Sequence, residues 1–145
     1  MRWLEKYADD FYFLLRFMAG IMFAFHGAQK LFGLFAEFPT PPVGSQLWFA
    51  GIIEFCGGIM IMLGLGTRIA AFICSGEMAV AYFQAHWKFQ IGTMFFPIVN
   101  KGELAVLYCF IFLYIASRGG VKWSLDTLIK DKKGKTTESP QVQNE

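Results

Sequence analysis

Charge is scarce in this chain, and so are the residues that carry most enzyme chemistry. Asp, Glu, Lys and Arg make up 17% of the 145 residues, against about 25% in a typical soluble domain. There are two histidines, His26 and His86. The three cysteines, Cys56, Cys74 and Cys109, all lie inside apolar segments, and no Cys-x-x-Cys occurs. Paired-thiol redox chemistry is therefore not expected, nor is a zinc site, and no metal is assigned. The thiols read as small buried apolar side chains. The chain also has no dinucleotide-binding glycine fingerprint, no pair of haem-ligand positions within one helix and no basic aromatic groove for nucleic acid.

What is present is oil. Hydrophobic residues reach 55%, aromatics 18% with 17 Phe, and the net charge is only +2; the mean hydropathy is +0.43. That composition suits helices in contact with lipid. The first apolar segment spans about residues 11–35, longer than the roughly 7–15 apolar residues of a signal peptide, so it reads as a retained helix. The second covers about 47–65 and the third about 69–87. The fourth begins near Gly102-Glu103 and ends near Ser117-Arg118-Gly119-Gly120. Each approaches the roughly 20 residues that a bilayer crossing needs.

The expected fold is all-α, a four-helix transmembrane bundle. Residues 1–10 form a polar N-terminus, 11–126 the membrane domain, and 127–145 a polar tail without regular structure. Residues 36–46 are a proline-rich loop with no Lys or Arg, whereas the N-terminus, the Gly64-Leu65-Gly66-Thr67-Arg68 turn and the tail (Lys130, Lys132, Lys133, Lys135) hold most of the positive charge. That bias places both termini in the cytoplasm. The loop 88–102, with its apolar run Thr93-Met94-Phe95-Phe96-Pro97, is placed at the membrane surface.

Ionisable groups inside these segments are the informative feature, because a central Arg or Lys costs about 2.5–3.5 kcal/mol on insertion scales. At about 1.5 Å per residue, His26 lies roughly 22 Å along the first helix from Phe11, and Lys30 follows one turn later on the same face. The antiparallel course of the remaining helices then brings Glu54, Glu77, His86 and Glu103 into the same outer half, with Arg16 lower, toward the cytoplasm. His26, Lys30, Glu54, Glu77, His86 and Glu103 are the expected polar pocket. Plainer readings stand beside it. Lys30 and His86 can reach the outer interface, Arg16 the inner one, and Glu103 can be a first-turn acid favoured by the helix dipole. Glu54 and Glu77 lie too deep for that and call for partners, as a ligand site or as a polar knot that fixes helix register. Gly20, Ala24 and Ala28 on one helix, and Gly58 one turn from Glu54 on another, allow close helix approach.

Arg16, the run His26-Gly27-Ala28-Gln29-Lys30-Leu31-Phe32-Gly33, Glu54 with Gly57-Gly58, Gly64-Leu65-Gly66-Thr67-Arg68, Asn100-Lys101-Gly102-Glu103 and Ser124-Leu125-Asp126 together resemble the DoxX family of small four-helix bacterial membrane proteins. The resemblance implies a multi-pass protein of the bacterial inner membrane, with the lipid bilayer as its main partner. It also implies a subunit or accessory of a quinone-linked redox system, with quinone as the candidate cofactor and other redox subunits or a second copy as candidate partners. Two further readings remain open: a non-catalytic assembly protein, and a small proton-coupled transporter.

Overall fold

Helix boundaries follow the chain's own punctuation. The structure, a computed structural model, describes residues 2–36 and 38–137 and is all-helical, with no strand among them. A short helix α1 (Arg2–Glu5) leads into α2 (Ala8–Phe32), which stops at Gly33. Helix α3 (Gln46–Leu63) opens on Ser45, whose hydroxyl accepts the Trp48 amide at 3.3 Å. Helix α4 (Thr67–Ala81) passes directly into a π-helical turn, Tyr82–Trp87. A 3₁₀ turn (Thr93–Phe95) and α5 (Pro97–Asn100) precede α6 (Glu103–Arg118), and α7 (Leu125–Thr137) ends the described chain.

Two of these helices, α2 and α3, are long and apolar enough to cross a membrane. Helix α2 packs against α3, α4 packs against α6, and α3 meets α4 to join the two pairs. The α2–α3 contact is backbone on backbone. A methyl group on Gly58 would lie 2.6 Å from the Gly20 carbonyl oxygen, and one on Gly27 would lie 2.7 Å from the Gly51 carbonyl oxygen. Facing outward, Phe11, Leu14, Met18, Met22 and Phe25 form an exposed apolar stripe at helical spacing on α2, and Phe72 on α4 and Phe110 on α6 are exposed as well.

Three segments differ from the sequence expectation. The third helix does not run as regular α-helix to residue 87, because its last six residues are wound wider. The loop 88–102 is more ordered than a simple connection. Asn100 is buried there and donates to the Met94 carbonyl (2.8 Å) while accepting the Gly102 amide (2.7 Å). The Tyr82 hydroxyl donates to the Phe95 carbonyl. The expected irregular tail is helical through Thr137. Ser124 explains the start of that helix, since its hydroxyl accepts the Thr127 amide at 3.2 Å as an N-cap. Glu37 and residues 138–145, the end of the expected tail, lie outside the described residues.

One end of the bundle is tied by a polar cluster. Arg16 is fully buried and places its terminal nitrogens on the carbonyls of Ile61 (2.6 Å), Met62 (3.0 Å) and Trp123 (2.8 Å). A cation at the C-terminus of α3 also complements the helix dipole. Gly64 lets the guanidinium in, since a side chain there would lie 2.7 Å from Arg16 Nη1. Asp126 accepts the Gly66 amide (2.7 Å), the Thr67 amide (2.9 Å) and the Thr67 hydroxyl (2.7 Å), binding the start of α7 to the start of α4. Arg68 caps α6 in turn, donating to the carbonyls of Ala116, Ser117 and Arg118.

Gly58→Ala should lower stability by about 1–3 kcal/mol through overpacking. Gly76→Ala, on α4 with open space at its Cβ, should raise it by about 0.5–1 kcal/mol; thermal unfolding in detergent compares the two. Burial works against the Asp126 carboxylate, but the hydrogen bonds from Thr67 and Gly66 outweigh it and hold its pKa below the usual value. Its contribution to stability is therefore complete above the unfolded pKa of about 4 and lost as pH falls through the lower folded value. Asp126→Asn should flatten this acid limb in a pH series of unfolding midpoints.

Candidate functional site

The face that α2 turns toward α3 carries His26 and Lys30 one turn apart, and α3 answers with Glu54. Lys30 Nζ lies 2.5 Å from Glu54 Oε1, and Glu54 is only 2% exposed. Gly51, one turn before Glu54, makes room for the lysine stem, since a Cβ there would stand 3.0 Å from Lys30 Cβ. The backbone contact at Gly27 and Gly51 thus sets the depth at which ammonium meets carboxylate.

Beside this pair opens a cavity of about 730 Å³, within the roughly 300–1,000 Å³ of small-molecule sites. His26, Lys30, Glu54, Glu77 and His86 all line it. Helix α4 presents Glu77, and its π-turn presents His86, whose Nδ1 lies 3.3 Å from the Asn100 carbonyl oxygen. The floor is apolar: Phe23, Ile53, Met78 and Ala105 belong to it.

Three buried polar atoms in this wall have no hydrogen-bond partner among the described residues: Glu54 Oε2, Glu77 Oε2 and the Tyr108 hydroxyl. Such atoms are uncommon in native interiors and point to water, an ion or a ligand. Tyr108 stacks on Phe112 (5.3 Å), packs tilted against Phe23 (5.3 Å) and stands edge-on to His26 (6.4 Å between ring centres). Those packed rings fix the phenol in place.

The cavity opens at two rims. Phe49, Ile73, Val80 and Leu104 line it and are also exposed on the outside of the bundle, which makes a sideways opening. Near the end of the bundle, Gln46 Nε2 donates to Gln84 Oε1 at 2.5 Å, bridging the start of α3 to the π-turn. Lys101 lines the same end.

One expected pocket residue falls elsewhere, and Arg16, expected apart from the pocket, lies apart from it. Glu103 is exposed in the first turn of α6 and does not line the cavity. The helix dipole accounts for an acid there, so grouping it with the pocket is corrected. Arg16 belongs to the opposite cluster and bonds backbone carbonyls rather than an acid. Sequence reasoning missed Tyr108, Gln46, Gln84 and Lys101. A signal for Tyr108 exists: Ala105, Tyr108, Phe112 and Ile115 recur at helical spacing and are all buried. A hydroxyl on that stripe has to point at something polar. No group of three or more His, Cys, Asp or Glu suited to a metal occurs among the described residues.

The model of one protein family, DoxX, matches residues 11–87. An uncharacterized protein of Haemophilus influenzae is 45% identical over 130 residues, covering 85% of this chain and 93% of the relative. No solved structure matches.

Removing one member of a buried ion pair strands the other. Lys30→Met should therefore lower stability by about 3–5 kcal/mol, and adding Glu54→Gln to it should recover most of that loss. The four unfolding midpoints of the double-mutant cycle test this.

Proposed function

The chain belongs to the DoxX family of membrane proteins, and from that premise we propose a specific arrangement and role. It crosses the bacterial cytoplasmic membrane four times with both termini inside, and it binds a quinone-class ligand in the outer half of the bundle as a subunit or accessory of a membrane redox system. Helix α4 with its π-turn (15 and 6 residues) and α6 (16 residues) supply the third and fourth crossings. Arg68, Arg118 and Lys122 gather at the Arg16 end, the side that the positive-inside rule assigns to the cytoplasm.

The observation that carries the ligand reading is the unsatisfied wall. At the other end Arg16 places its terminal nitrogens on three carbonyls, and its Nε is the single buried atom without a hydrogen-bond partner among the described residues there. Three such atoms gather beside the cavity, where Glu54 Oε2, Glu77 Oε2 and the Tyr108 hydroxyl are buried without a hydrogen-bond partner among the described residues. A flat ring with oxygens at its edge suits such a site: the ring lies against Phe23 and Met78, and the oxygens meet Lys30, His26 and Tyr108. His86 and Lys101, at the outer end, connect the cavity to water and would pass protons. The sideways opening admits a ligand that travels in the bilayer. An assembly role alone leaves these three atoms without a purpose.

Purification from native membranes in mild detergent, followed by mass spectrometry of bound small molecules, tests the reading. A quinone should co-purify and be lost from His26→Ala. Absence of any quinone, together with unchanged quinone-dependent respiration in membranes from a deletion strain, would overturn it.

A further inference from the structure

Resting on the four-crossing arrangement above, and on no cavity ligand, we propose that α7 lies along the cytoplasmic leaflet as an amphipathic anchor that selects anionic lipid. Leu125, Leu128 and Ile129 enter the boundary between headgroups and acyl chains, and the lysines that follow engage lipid phosphates. The bundle fixes only the first turn of α7. The Asp126 amide donates to the Gly64 carbonyl (2.9 Å), and its carboxylate accepts the Gly66 and Thr67 amides. These bonds set the helix at the Arg16 end, where the positive-inside rule places the cytoplasm. Beyond that turn α7 packs along no other helix among the described residues. A helix of 13 residues with Gly134 inside it is marginal in water on its own. A surface covering one side of it is what keeps it formed.

Leu125, Leu128 and Ile129 recur at helical spacing and share one side of α7. All three are exposed, Leu128 to 58%. Their surroundings say what covers them. Trp123, itself exposed, leans on Phe13 of α2 with ring centres 5.5 Å apart. Leu63, the exposed last residue of α3, lines a hollow together with Leu125 and Leu128. The apolar side of α7 thus continues the outer surfaces of the two helices long and apolar enough to cross a membrane. Lipid is the neighbour there, and Trp is a residue enriched at that level. Charge selects the kind of lipid. Residues 127–137 hold four lysines and one acid, Asp131, and Lys130, Lys132 and Lys133 are exposed. A basic segment beside a bilayer is drawn to the negative potential of an anionic leaflet, and the attraction falls off with salt. An apolar side and a run of lysines are the two signals that interfacial helices combine.

Amide hydrogen exchange of the full-length protein tests this in nanodiscs of two compositions, phosphatidylcholine alone and phosphatidylcholine with phosphatidylglycerol. The amides of residues 129–137 should exchange about tenfold or more slowly in the anionic bilayer, and high salt should remove most of that difference. Lys130→Gln, Lys132→Gln and Lys133→Gln together should bring the two compositions to one rate. Leu128→Ser with Ile129→Ser should speed exchange in both. The amides of α2 and α3 are the reference and should stay protected throughout. Equal exchange of α7 in the two compositions, with α2 and α3 protected, overturns this inference and leaves the crossing arrangement intact. Loss of protection in α2 and α3 of the unaltered protein overturns both. A triple-Gln protein that keeps the full difference also overturns the inference. If a variant loses its reference protection, the comparison of compositions on the unaltered protein decides alone.

Discussion

The contact on which the bundle depends is the touch of two helix backbones where α2 crosses α3. Gly20 and Gly27 on one helix meet Gly58 and Gly51 on the other with no side chain between them. Helices this close have little freedom to slide or turn against each other. Everything polar on the facing surfaces is positioned by that contact. Lys30 lands on Glu54 because Gly51 is one turn away, and Arg16 reaches the last carbonyls of α3 because Gly64 leaves the path clear. In an apolar solvent, small residues at a helix crossing provide packing that hydrophobic burial cannot.

The two polar clusters answer the same problem in opposite ways. At the Arg16 end, guanidinium groups and a carboxylate close on backbone atoms. Arg16 and Arg68 take up helix C-terminal carbonyls, and Asp126 takes up amides at the start of α4. This joins helix ends far apart in sequence and fixes the turn between α3 and α4. At the cavity end Lys30 and Glu54 close one ion pair, His86 meets the Asn100 carbonyl and Gln46 meets Gln84, while Glu54 Oε2, Glu77 Oε2 and the Tyr108 hydroxyl have no partner among the described residues. Unmet polar capacity in a dry interior is expensive, and it gathers on the cavity side, three atoms there against the single Nε of Arg16 among the described residues.

Much of this was legible in the sequence, and the gaps have physical causes. Charged residues in apolar segments pointed to His26, Lys30, Glu54, Glu77 and His86 as one group, and they line one cavity, because a fixed rise per residue turns position along antiparallel helices into a common level. Glu103 was misplaced because height does not fix direction: at a helix start, an acid can serve the dipole from outside the bundle. Tyr108 escaped notice because an aromatic ring in an oily helix reads as packing, and its hydroxyl matters only once the neighbouring helices are in place. The π-turn at Tyr82–Trp87 was illegible for a similar reason. Its wider winding is sustained by Asn100 and Phe95 from a loop that the local pattern does not connect to it. The tail was misread because its lysines outweighed a short capping signal at Ser124.

The sideways rim formed by Phe49, Ile73, Val80 and Leu104 has a thermodynamic corollary. A ligand that enters there is drawn from the lipid phase, where an oily molecule is far more crowded than in water. Occupancy is then governed by moles of ligand per mole of lipid, and partitioning does most of the concentrating before the protein makes a single contact. A weak intrinsic grip is enough to keep such a cavity filled, and diluting the protein into fresh bilayer would empty it even though no bond in the wall had changed.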